Sequence, residues 1–137
     1  MAIPITNLQG CTDLMAARLA ETGIFDSRNL LKAAATSDKR AALAMDTELD
    51  PELILKLARR ADLSRVRGVA GVYAHLLDAA GVRSLHDLLR QDAETLWKGV
   101  LAANEEFGVT ATPPTQKQVA AWIAGARDIA PLVKDDS

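Results

Sequence analysis

The sequence predicts an all-α protein: two tandem helix-hairpin-helix-containing units packed as one compact helical domain with an approximate internal two-fold. Composition gives the helices. Of 137 residues 49% are hydrophobic, dominated by Ala and Leu, and only 4% are aromatic. That balance suits close helix-on-helix packing better than a sheet, which needs β-branched and ring side chains. Glycine spacing gives the duplication: Gly10 and Gly23 lie 13 residues apart, as do Gly68 and Gly81, and the two pairs superpose at an offset of 58. At that offset Leu8, Met15, Ala16, Leu19, Ile24, Leu30 and Leu31 fall opposite Val66, Tyr73, Ala74, Leu77, Val82, Leu88 and Leu89. A chain of this length buries roughly two thirds of its unfolded surface as one domain, so residues 1–137 are expected to form one, with unit one over 3–61, unit two over 62–130 and a disordered tail over 131–137.

The elements follow in order. Ile5-Thr6-Asn7-Leu8 opens unit one, Gly10 turns it, and a helix through Met15 and Leu19 ends at Gly23. Ser27 is placed to cap the next helix, which carries Leu30 and Leu31. A third helix runs from Ser37 to Met45, and the fourth opens at Asp50-Pro51, a cap followed by proline at the first helical position. It turns Ile54, Leu57, Ala58 and Ala61 inward.

Unit two repeats the order. Asp62 is expected to cap a short turn through Leu63-Ser64-Arg65-Val66 that stops at Gly68. From Gly71 a stripe of Val72, Leu76 and Ala79/Ala80, flanked by Tyr73 and Leu77, ends at Gly81, a left-handed C-terminal cap. Ser84, with Asp87 three residues on, resembles a capping box and opens Leu85–Leu89. A helix over Asp92 to Glu106 comes next, and Thr112-Pro113-Pro114-Thr115 leads into the last, where Val119, Trp122, Ile123 and Ala126 match Ile54, Leu57, Ala58 and Ala61 at an offset of 65. The seven extra residues are assigned to a loop over 104–111. Loops that depart from a repeat are common places for partner contacts.

Charge and cysteine usage narrow the function. A net charge of −2 argues against broad attraction to nucleic acid or anionic membrane, so any such binding needs a local basic patch. The single Cys11 makes an intrachain disulfide or a multi-cysteine metal site impossible and suits a reducing compartment. No stretch approaches the roughly 20 apolar residues of a membrane span, and the start lacks the pattern of a secretory signal. A cytoplasmic location without a membrane partner is expected.

The segment Val66-Arg67-Gly68-Val69-Ala70-Gly71-Val72-Tyr73, followed by Gly81-Val82 and Leu88-Leu89, looks like a helix-hairpin-helix motif. Together with Arg60-Ala61-Asp62-Leu63, the duplication and Gln118-Val119-Ala120-Ala121-Trp122-Ile123, the chain resembles the bacterial family of domain of unknown function four-three-three-two over nearly its full length. The resemblance implies an all-helical fold of paired hairpin units and brings no activity, substrate or catalytic residues. In the wider hairpin superfamily, turn amides hydrogen-bond a DNA phosphate without reading base sequence, sometimes with a monovalent cation held by turn carbonyls. Here the second glycine position of hairpin two is Ala70, with Gly71 one residue later. Hairpin one reads Gln9-Gly10-Cys11-Thr12-Asp13, with a carboxylate where phosphate would approach and no basic flank. Hairpin one is expected to be architectural.

Two function classes follow. In the first, Gly68, Val69, Ala70 and Gly71 with Arg65 and Arg67, assisted by Arg59 and Arg60, grip a DNA or RNA backbone weakly and without sequence specificity. In the second, the hairpins are purely structural and the chain is a protein-interaction or self-association module. An enzyme is not expected. His75 and His86 lie in different predicted helices, no metal-ligand spacing occurs, and Gly68-Val69-Ala70-Gly71 lacks the strand and trailing Lys of a nucleotide-binding loop. No cofactor or metal is called for.

Overall fold

A computed structural model describes residues 2–134. Among them the regular elements are a 3-10 turn, Ile5–Asn7, and eight α-helices: α1 Asp13–Glu21, α2 Ser27–Ala34, α3 Ser37–Thr47, α4 Pro51–Leu63, α5 Val72–Ala79, α6 Leu85–Leu89, α7 Ala93–Phe107 and α8 Gln116–Arg127. The all-α reading holds. The chain divides into two compact units: one is built from the residues through Arg65 together with the chain from Pro131 onward, the other is Val66–Ala130.

In the first unit, α2 packs against α3 and α4, and α1 packs against α3. Leu19, Leu30, Ile54 and Leu57 are the most deeply buried large side chains. Each such side chain contributes about 1.5–3 kcal/mol by leaving water. The cap of α2 differs from the expected one. Asp26, with extended backbone at φ −142°, accepts the Asn29 amide at 2.8 Å. Ser27 is already helical, and its buried hydroxyl accepts the Ile3 amide at 3.1 Å, tying the N-terminal segment to α2. The fourth helix also departs from expectation, running on through Asp62 to Leu63. Asp62 therefore caps no new turn; it lies inside the helix, 2% exposed.

The buried Asp62 carboxylate organises the return of the chain. Oδ1 accepts Arg65 Nη1 at 2.6 Å, while Oδ2 accepts the amides of Leu132 at 2.8 Å and Val133 at 3.1 Å. Nearby in the same unit Arg40, 5% exposed, donates to Ala34 O at 2.9 Å and Lys134 O at 2.7 Å, and the Lys134 amide donates to Ala35 O at 2.8 Å. Val133 packs against the apolar core. Residues 131–134, expected as the start of a disordered tail, are thus a strap held by two buried charges, each needing the strap's backbone to satisfy it. Asp135–Ser137, the rest of that tail, lie outside the described residues.

In the second unit α7 packs against α5 and α8, and α6 packs against α8. Leu76, Leu77, Val82, Leu88, Val100 and Val119 are at most 1% exposed, and Trp122 is 3% exposed, stacked in a tilted arrangement on Tyr73 with ring centres 5.3 Å apart. The buried face of α5 is Leu76 and Leu77. Val72, placed on the apolar stripe by the sequence, is 47% exposed because the helix begins at the surface turn. The irregular segment after α7 starts later than expected, since α7 continues to Phe107. Asn104 fixes it through a reciprocal pair: its Nδ2 donates to Thr110 O and its Oδ1 accepts the Thr110 amide, both at 2.9 Å.

Local backbone geometry recurs between the units. Gly10, Gly23, Gly68 and Gly81 all have φ between +85° and +91°. After α1 the amides of Gly23 and Ile24 donate to Ala20 O and Leu19 O; after α5 those of Gly81 and Val82 donate to Asp78 O and Leu77 O. Only glycine reaches this φ without strain, which is why it closes both helices.

Candidate nucleic-acid interface

Hairpin two is a surface turn with one buried anchor. Val66 ends the approach and is 3% exposed; Arg67, Gly68, Ala70, Gly71 and Val72 are exposed, and Val69 between them is fully buried. The Val69 amide donates to Val66 O at 3.0 Å, so this amide already belongs to the hairpin. A side chain at Gly68 is excluded twice, by φ +88° and because a Cβ there would lie 2.9 Å from Trp122 Nε1. The second positive φ falls on Gly71, at +58°, leaving Ala70 with a side chain that needs no unusual backbone.

The two hairpins differ where their helices start. In hairpin one Thr12 Oγ1 accepts the Met15 amide at 3.2 Å, and Asp13 places a carboxylate in the first turn of α1. In hairpin two the N-cap is Gly71; no side chain caps α5, and its first turn carries no acid. The helix-end amides of α5 and their positive dipole therefore face an exposed turn beside Arg67.

The other arginines singled out from the sequence are placed differently. Arg59, Arg60 and Arg65 belong to the first unit and Arg67 to the second. Arg65 is committed to Asp62. Arg60 lies under hairpin one: a Cβ on Gly10 would meet its Nη1 at 3.3 Å. Hairpin one, read as lacking a basic flank, thus receives a basic neighbour from α4, about two and a half turns into that helix. Sequence distance concealed that contact.

The family model described as "Domain of unknown function (DUF4332)" matches residues 9–129. The chain belongs to this family. No curated protein and no solved structure matches it significantly. The DUF4332 match covers both hairpins and stops short of the strap at 131–134.

Elsewhere in this DUF4332 chain the titratable groups are dispersed. His75 and His86 are both exposed, on α5 and α6. Among the described residues no group of three or more His, Cys, Asp or Glu is arranged to hold a metal ion, and no helix is long and apolar enough to cross a membrane. Burial, with a smaller contribution from the Asp13 charge, pushes the Cys11 thiol up from its ordinary value, which keeps it protonated and slow as a nucleophile. The loss of the cap at hairpin two was readable in the sequence, because the offset of 58 sets Ala70 opposite Thr12 and Gly71 opposite Asp13.

Proposed function

We propose that this chain is a non-catalytic, cytoplasmic helix-hairpin-helix protein whose second unit contacts the backbone of DNA weakly and without reading base sequence, through Arg67 and the exposed turn residues Gly68, Ala70 and Gly71, with buried Val69 anchoring the turn. The uncapped start of α5 on an exposed, glycine-bounded turn is the observation that carries this reading. Unsatisfied amides at a helix start favour an anion, and Arg67 adds an exposed positive charge beside them. Arg65 already serves Asp62, and Arg59, Arg60 and Arg65 all belong to the first unit, so the reading rests on Arg67 and the turn. Non-specific contacts of this kind have affinities of roughly 0.1 mM to 1 µM and weaken steeply with salt.

The test is fluorescence anisotropy of a labelled duplex across a salt series, with the wild type and Arg67→Ala. Binding at low salt that weakens with salt and drops at least several-fold in the variant supports the reading; no binding at low salt and high protein concentration overturns it. A second reading, a protein-interaction or self-association module, is favoured by large apolar side chains left outside on the first unit: Leu14 59%, Phe25 62% and Met45 83% exposed. Sedimentation equilibrium separates the two, a concentration-dependent dimer that Met45→Glu or Phe25→Glu abolishes being the result that favours association.

A further inference from the structure

We infer that the nucleic acid engaged by the second unit is single-stranded, an unpaired base stacking on Phe107 in the groove beside α5. This inference rests on the reading of hairpin two. The groove has a volume of about 590 Å³ and is lined by His75, Asp78, Arg83, Phe107 and Val109. Phe107 ends α7 and is 60% exposed; Gly108, with φ +60°, turns the chain away from it and leaves the ring uncovered. The Asn104–Thr110 pair fixes the segment that follows, so this wall is built rather than loose.

The polar groups identify the occupant. Arg83 Nε donates to Asp78 Oδ1 at 3.0 Å, and the pair is partly exposed. It brings donors and acceptors to the groove with its two charges balanced, which suits a neutral planar ring with polar edges better than a free anion or cation. A base face against an aromatic side chain supplies the rest of the attraction. In a duplex that face is already stacked on its neighbours, so only an unpaired base can use Phe107.

Geometry joins the groove to the hairpin. His75 and Asp78 lie four and seven residues beyond Gly71 on the same helix, about 6 and 10 Å along its axis at 1.5 Å per residue. At about 3.4 Å per stacked nucleotide this is two to three nucleotides. A strand whose phosphate meets Arg67 and the start of α5 reaches the groove with a base only a few positions away.

The experiment compares a labelled oligothymidine, the same length of abasic oligonucleotide and a duplex, each against wild type, Phe107→Ala, Phe107→Trp and Arg67→Ala at low salt. Expected is tighter binding of the oligothymidine than of either competitor, an affinity for it that falls about fivefold or more in Phe107→Ala and returns in Phe107→Trp, and duplex binding that Phe107→Ala leaves alone. Phe107 is mostly exposed, so its replacement does not threaten the fold. If Arg67→Ala weakens all three ligands while Phe107→Ala changes none, the base site is overturned and the hairpin reading stands. If the wild type binds none of them, both fall.

Discussion

At the residue scale, six glycines among the described residues hold backbone that other residues resist, and the cost of replacing them differs. A Cβ on Gly81 meets nothing within 4 Å, so Gly81→Ala carries only the positive-φ penalty, about 1–2 kcal/mol. Gly68→Ala adds the collision with Trp122 at 2.9 Å, and urea unfolding should show it the more damaging by a further 1–3 kcal/mol or so. Glu48 is the opposite case, a non-glycine residue at φ +59° closing α3, its carbonyl accepting Arg18 Nη1 at 3.0 Å. Glu48→Gly relieves the left-handed strain and keeps the carbonyl; thermal unfolding should find it neutral to about 1 kcal/mol more stable. For Cys11, alkylation at pH 8 should run slower than for a free thiol and accelerate in Asp13→Asn, because removing the negative neighbour lowers the thiol's affinity for its proton.

At the element scale, helix starts decide most of what distinguishes the two units. Thr36, Asp50, Asp92 and Thr115 all cap as side chains, Thr115 in a full box with Gln118, and α5 alone among the eight helices described begins on a glycine. The segment after α7 depends on one side chain: Asn104→Ala removes both bonds to Thr110 and should lower the stability of the second unit by about 1–3 kcal/mol, read by urea titration of Trp97, whose indole donates to Pro114 O within that segment. Helix positions were legible because apolar spacing, glycine stops and Pro51 are local signals. Asp62 and Ser27 misled for one reason: each has a side chain suited to a cap, yet its oxygen serves an amide 70 and 24 residues away, respectively. Such partners are chosen by tertiary contact and leave no mark on neighbouring sequence. The exposure of Phe107 was equally hidden, since spacing alone does not tell an end-of-helix ring inside from one outside.

At the scale of the whole molecule, the family match and the compact units do not share boundaries. Residues 9–129 omit both the segment at Ile3 that bonds Ser27 and the strap that satisfies Asp62 and Arg40. A chain cut after Ile129 leaves two buried charges short of partners, and the first unit should lose about 3–5 kcal/mol, seen as a lower urea midpoint beside the full chain. Asp62→Asn keeps the shape and one acceptor oxygen and should lose less. The strap also imposes an order on synthesis. The first unit is finished by residues made after the entire second unit, 65 residues later, which at ribosomal speeds is a delay of roughly 3 to 13 seconds. During that interval α4 is complete while Asp62 and Arg40 still face water, so the nascent first unit is held short of its final stability until residues 131–134 emerge from the ribosome.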